Sequence, residues 1–220
     1  MSFEGFPDEG LVFYEGLEAD NTKTYWTRNK GTYDTQVKAP LQAMLDELAA
    51  EFGVAKVFRP YRDVRFSNDK TPYKTHQGAV ITPEGRGVGS WYVQISADGL
   101  YVAGGCWRLE SDQVGRLRRA IADPVQGARL EKELGRLSGE GFAIGGERLS
   151  RVPAGFSADD DRADLLRHKS LHASRSWEPA EWLHTRQALD EVRTAWQEFG
   201  TLNTWLADNV GATTKEARRR

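Results

Sequence analysis

The residues whose types and spacing could do chemistry lie in one run, Phe58-Arg59-Pro60-Tyr61-Arg62-Asp63-Val64-Arg65-Phe66-Ser67-Asn68-Asp69-Lys70-Thr71-Pro72-Tyr73-Lys74-Thr75-His76. From Lys56 to His76 six Lys and Arg residues accompany two Asp, a local charge of +4 in a chain whose formal net charge is −2. Guanidinium forks, ammonium groups, hydroxyls and loop N–H groups are the donors that hold phosphate or carboxylate. Alternation along an extended strand puts Phe58, Pro60, Val64 and Phe66 on an apolar face, with Arg62 among them. It puts Arg59, Tyr61, Asp63 and Arg65 on a polar face. The Asn, Asp and Pro that follow predict a loop over 67–76. That loop brings Lys70, Tyr73 and Lys74 close to the end of the strand. Arg59, Tyr61, Arg65, Lys70, Tyr73 and Lys74 are therefore the candidate ligand-binding residues. Arg62 and Asp63 are the candidate structural ion-pair residues. A cation on the apolar face needs a partner if buried, so Arg62 is expected to meet an internal carboxylate or backbone carbonyls.

Three readings of this segment stand side by side. The first is binding of a small anionic ligand bearing phosphate or carboxylate. The second is an enzyme acting on a phosphorylated or carboxylated metabolite, with Asp63 or Tyr73 in proton transfer. The third is an ion-pair lattice without a ligand, in which Asp63 and Asp69 fix Arg59, Arg65 and Lys70. A carboxylate contacted by arginine has a lowered pKa, which suits Asp63 to an anchor better than to a general acid. No nucleophile or metal constellation supports the enzyme, and binding is the expectation.

Other candidates carry less. His168 and His172 have i,i+4 spacing, but the segment around them reads as extended and no Glu lies between them in a zincin pattern. Solvated or capping histidines are expected there, and no metal site. Asp159-Asp160-Asp161 precede a helix and lack the EF-hand spacing. Gly85-Arg86-Gly87-Val88-Gly89 leads into a strand rather than opening a helix, so it is a turn and not a dinucleotide fingerprint. Arg116, Arg118 and Arg119 form a basic helix face. Cys106 is the only cysteine and follows Gly104-Gly105 in an apolar run, which predicts a buried thiol and excludes an internal disulfide. No cofactor is expected.

The elements that must position the segment follow from periodicity. Leu11, Tyr14 and Leu17 predict a helix over 7–18, ended by Asp20-Asn21. Tyr25, Trp26, Tyr33, Val37, Leu41, Met44, Leu45, Leu48 and Phe52 continue as helix to about residue 52, with Gly31 and Pro40 as expected breaks. Residues 56–67 alternate as a strand, 83–89 is a turn, and Asp98-Gly99 joins two strands as a hairpin, so the region 56–107 is expected to be antiparallel. Ser111 and Asp123-Pro124 start two helices. A short helix over 161–167 leads to a strand at 169–175, and helix resumes from Pro179. The fold class is α+β: a single domain over 1–210, a mostly antiparallel central sheet with helices packed on it from both ends of the chain, then a basic tail over 211–220. Hydrophobic residues at 39% and charged residues at 28% match a globular chain with a full core. The near-neutral balance disfavours nucleic acid, and no apolar run is long enough for a membrane span. The start, Met1-Ser2-Phe3-Glu4-Gly5, does not read as a signal peptide, so the cytoplasm is the expected compartment.

The Phe58–His76 run also resembles the hallmark of a family known as domain of unknown function twenty-four sixty-one. Gly5-Phe6-Pro7, Asn21-Thr22-Lys23 to Trp26, Gly104-Gly105 with Trp107, Arg151-Val152-Pro153-Ala154-Gly155-Phe156 and Leu165-Leu166-Arg167-His168-Lys169 are similar to it as well. The resemblance covers about residues 5–210 and implies one domain and a soluble bacterial-type protein. It brings no activity and no catalytic residues to carry over.

Overall fold

Leu11, Tyr14 and Leu17 lie on the buried side of α1, Asp8–Ala19, whose first turn holds Asp8 and Glu9 where the helix dipole favours acids. Thr22 caps α2, Lys23–Thr32, by accepting from the Tyr25 N–H at 3.2 Å. The chain does not break at Gly31 or Pro40. It passes through a π-helical stretch, Tyr33–Lys38, into α3, Ala39–Phe52. Pro40 has no N–H with which to close the usual bond to Gln36, and the wide turn absorbs that defect. The Gln36 carbonyl faces Gly10 of α1, where a Cβ would have no room. The computed structural model describes residues 2–65, 68–83 and 87–215. The end of the expected 56–67 strand, the middle of the 83–89 turn and the tail beyond 215 lie outside these residues.

Six strands follow: β1 Lys56–Val57, β2 His76–Ile81, β3 Ser90–Ser96, β4 Gly99–Cys106, β5 Ala143–Gly145 and β6 Leu171–Trp177. They form an antiparallel sheet in the order β1-β2-β3-β4-β6-β5. The fold is α+β, and the region 56–107 is antiparallel as its alternation predicts. The Asp98-Gly99 turn joins β3 to β4, with Gly99 at φ +100°. Between β4 and β5 run α4, Ser111–Ala122, and α5, Pro124–Gly139. Glu110 and Gln113 form a capping box on α4, so Ser111 is its first residue rather than its cap. Asp123 caps α5 by accepting from Val125 and Gln126 at 2.9 and 2.8 Å. The short α6, Ala163–Leu166, precedes β6. After β6 a 3-10 turn, Glu181–His184, comes before α7, Gln187–Glu198, and α8, Gly200–Asn209. Helix therefore starts later than Pro179.

Packing groups the chain into two compact units. The first comprises Met1–Ile81, Tyr92–Val102 and Ser176–Ala195. Its buried residues include Phe6, Phe13, Leu17, Leu41, Leu45, Ile81, Val93, Ile95, Val102 and Val192. Its N-terminal segment is stitched to the 3-10 turn: the Phe6 N–H donates to the Leu183 carbonyl at 2.8 Å, and His184 Nδ1 meets the Phe6 carbonyl at 2.7 Å. The second unit comprises Thr82–Trp91, Ala103–Arg175 and Trp196–Arg220. Leu117, Ile121, Leu130, Leu137, Leu171, Trp196, Phe199 and Leu202 fill its core. Phe199 lies directly on Gly104, where any side chain would collide with it.

Within the first unit the strands have two unlike faces. Gln77, Ala79, Ile81, Val93, Ile95, Leu100 and Val102 are buried on one. His76, Val80, Tyr92, Gln94 and Tyr101, the alternate positions, are only half-buried.

Candidate functional site

The chain from Phe58 to Gly78 is a hairpin whose register changes midway. Lys56 pairs with Val80 and Val57 with Ala79, whereas farther out Tyr61 pairs with Tyr73. Four residue steps separate Val57 from Tyr61, and six separate Ala79 from Tyr73. The return side therefore carries a bulge, which re-aims its side chains. Backbone bonds continue on both sides of it: Phe58 N–H to Gly78 at 3.0 Å, Lys74 N–H to Pro60 at 2.8 Å and Arg62 N–H to Pro72 at 2.9 Å. A residue about fifty positions away secures the return side at Tyr73. The Asn21 amide donates to the Tyr73 carbonyl at 3.0 Å and accepts from the Tyr73 N–H at 3.1 Å, as a neighbouring strand would.

This geometry divides the six candidate ligand residues instead of converging them. Tyr73 is 5% exposed and stacks on Trp26, with ring centroids 4.3 Å apart and planes 7° from parallel. Tyr61, 49% exposed, leans on the same pair, 5.4 Å from Tyr73 and 6.1 Å from Trp26. Lys74 extends the other way and sets its ammonium 5.2 Å above the ring of Phe58. Arg59 is exposed. Lys70 turns back to donate to the Val64 carbonyl at 3.0 Å. Arg65, 71% exposed, forms a two-bond fork with Asp63 at 2.9 and 2.7 Å.

The Asp63–Arg65 pair follows the alternation, which puts both on the polar face, whereas the pairing of Arg62 departs from it. Asp63 holds Arg65 rather than Arg62. Arg62 is paired with Asp69 and donates to the Thr71 hydroxyl at 2.7 Å. That ion pair is partly solvent-exposed, with the Arg62 side chain at 33% and Asp69 at 49%. The expectation of a buried guanidinium held by an internal carboxylate or backbone carbonyls does not hold, because Asp69 and Thr71, a few residues on, take Arg62 at the surface.

The electrostatics leave one part of the hairpin unbalanced. Arg65 and its backbone N–H hold the Asp63 carboxyl far below the usual range. Hydrogen bonds from Thr71, then Arg62, lower Asp69. Both local acids are thus committed. Lys74 has its pKa lowered by burial and then by the nearby Arg59 charge. His76 is lowered by burial, then by Lys74 and Arg62. Among the described residues neither Arg59 nor Lys74 has an ion-pair partner.

His76 ends the basic run but is absent from the six candidates, because a single histidine beside lysines gives no spacing signal. Tyr92, Gln94 and Tyr101 are also absent, since they lie on strands that only pairing brings near the hairpin. The Tyr92 ring crosses Gly78, where a side chain would strike its hydroxyl. Tyr92 donates to the Gln94 amide oxygen at 2.7 Å, and its ring lies 6.3 Å from Phe58 and 6.0 Å from Tyr101.

Elsewhere the chemistry is quieter. Cys106 is buried, and its thiol is pushed up to about 11 by burial. His168 is 4% exposed and its Nδ1 meets the Ser170 carbonyl at 2.9 Å. Of the solvated or capping histidine expected there, the solvated alternative does not hold: the ring is buried and meets a backbone carbonyl. Among the described residues no three His, Cys, Asp or Glu side chains are grouped to hold a metal ion. No described helix is long and apolar enough to cross a membrane. A hollow of about 540 Å³ in the second unit is lined by Ser150, Arg151, Phe156, Asp164 and Arg167, among others. Beside it Arg148 and Arg167 both pair with Asp164.

The class defined by these features is an α+β protein with an antiparallel sheet and a bulged, cation-rich hairpin at its edge. The chain belongs to the conserved hypothetical protein family DUF2461, whose model matches residues 9–205. No curated protein and no solved structure matches the chain.

Proposed function

We propose that the protein binds a small anionic ligand, bearing phosphate or carboxylate, at the 58–78 hairpin. Lys74 and Arg59 are its first contacts and His76 adjoins them, while Tyr61, Lys70 and Arg65, held by the Tyr73–Trp26 pair, the Val64 carbonyl and Asp63, lie outside this contact set. Tyr73 acts indirectly, by fixing the hairpin against Trp26. The observation that carries this reading is Lys74. It is half-buried, its charge is disfavoured by burial and by Arg59, and no described carboxylate answers it. Like charges held together in a partly desolvated place cost free energy, and a bound anion offsets that cost. The proposed setting is the cytoplasm, where a free thiol such as that of Cys106 persists.

An enzymatic role at the same residues has less support. Asp63 is held ionised by Arg65, and Tyr73 is stacked and pushed up by burial, so neither is poised to exchange protons near neutrality. A pure ion-pair lattice accounts for Arg62, Asp63, Arg65 and Asp69 but leaves Lys74 unexplained. Thermal melts with increasing sodium sulfate, against sodium chloride at matched ionic strength, test the proposal. The melting temperature should rise with sulfate in the parent protein and not in Lys74→Ala. A parent protein indifferent to sulfate, phosphate and citrate alike would return the segment to the lattice.

A further inference from the structure

Resting on that anion-binding reading, the half-open face of the strands beside the hairpin adds a second requirement on the ligand. The Lys74 ammonium stands over the Phe58 ring. From Phe58 the apolar surface continues through Tyr92 to Tyr101, in steps of 6.3 and 6.0 Å. These rings do not stack on one another: Phe58 is tilted 36° from Tyr92, and Tyr101 meets Tyr92 edge-on at 65°. Aromatic surface that is only half-buried therefore remains along the row. Gln94 lies at its margin. Its amide oxygen accepts from the Tyr92 hydroxyl at 2.7 Å. Gly78 leaves room for the hydroxyl end of Tyr92 to cross the backbone. Cations thus sit at one end of an aromatic strip, and the Gln94 amide stands at the Tyr92 hydroxyl, over its middle.

We propose that the ligand is an anion carried on a planar aromatic body, with the charged group at Arg59 and Lys74 and the ring on the Phe58–Tyr92–Tyr101 strip. Charge and polarity match in sequence along the face. The phosphate or carboxylate meets the cations, and the flat apolar part covers the rings. Ring-on-ring contacts add affinity beyond the area they bury. An inorganic anion would use the cations and leave the strip uncovered.

Calorimetric titration of the parent protein with inorganic phosphate, methyl phosphate and phenyl phosphate tests this. Phenyl phosphate is expected to bind about tenfold more tightly than methyl phosphate, the gain of one favourable ring contact. Tyr101→Leu should remove that gain and leave inorganic phosphate binding unchanged, whereas Lys74→Ala should weaken all three. If Tyr101→Leu does not fold, the methyl–phenyl comparison in the parent protein still decides. Equal affinities for methyl and phenyl phosphate would overturn the aromatic strip and leave the anion site standing. No binding of any of the three would overturn both.

Discussion

Arg136 in the second unit and Lys74 in the first are both partly buried cations, and their surroundings are opposite. Arg136 is ringed by acids. It bonds to Glu133 at 2.8 Å, to Glu140 at 2.9 Å and to the Glu198 carboxylate, and it donates to the Glu198 carbonyl at 2.8 Å. These partners raise its pKa, led by Glu133. Lys74 has an aromatic ring beneath it and a second cation beside it, and its pKa falls. A charge whose partners come from its own chain stabilises a tertiary arrangement and has little left to give a ligand. A charge that folding leaves unanswered weakens the fold slightly and attracts whatever can answer it. The difference separates a structural lattice from a candidate binding site better than a count of arginines does.

The largest expected effect is on the closed side of this contrast. Arg136→Ala removes the partner of Glu133, which is 8% exposed, and should cost about 2–3 kcal/mol of unfolding free energy, less than a fully buried pair because Arg136 is itself partly solvated. Urea melts at pH 7 measure it. A loss under about 1 kcal/mol would erase the contrast, since the lattice would then be doing no more than the hairpin pairs.

On the open side, Lys74→Ala should change the stability of the unliganded protein by under about 1 kcal/mol, in either direction, while abolishing the rise in melting temperature with sulfate. A variant that loses much stability yet still responds to sulfate would invert the assignment.

Acid pH sharpens the comparison further. The His76 pKa is lowered in the folded protein by burial, Lys74 and Arg62. Between that lowered value and the unfolded value of about 6.5, the unfolded chain binds more protons. Stability from this group is therefore present above the unfolded value and lost as pH falls through the folded one. A bound anion favours protonated His76 and opposes the loss. Sulfate, which does not titrate in this range, should bind more tightly as pH drops below the unfolded value toward the lowered folded one, and His76→Gln should flatten that dependence. Sulfate affinity that is level from pH 7 to pH 5 in the parent protein, measured by titration calorimetry, would remove His76 from the site.

The smallest effect is expected at the exposed Asp63–Arg65 pair. Arg65→Ala should leave the melting temperature within experimental error, because the pair is open to solvent. Asp63→Asn removes the acid that Arg59 also feels, so sulfate should bind about twofold more tightly. Weaker binding in that variant would mean that Asp63 shapes the loop rather than only competing with the ligand.

Much of the fold was legible because its signals are local. The helical spacing of Leu11, Tyr14 and Leu17, the Asp98-Gly99 turn and the alternation in β3 each act within a few residues, and each survives into the structure. The π-helical passage was not legible, because Pro40 and Gly31 signal a break when considered alone and packing carries the helix through them. The cation-rich segment was visible as an excess of charge, and its composition alone determined where to look. Which cations remain unanswered was decided only by tertiary structure. A bulge sends Tyr73 to Trp26 and Lys74 to Phe58, Asn21 clamps the return side at Tyr73 from far along the chain, and the loop chooses Asp69 for Arg62 and Asp63 for Arg65. Alternation assigns faces only while register is constant, and several acid–arginine pairings have equal standing in sequence. The choice among them depends on how the loop closes and on which strand lies beside it, information that no window of neighbouring residues contains.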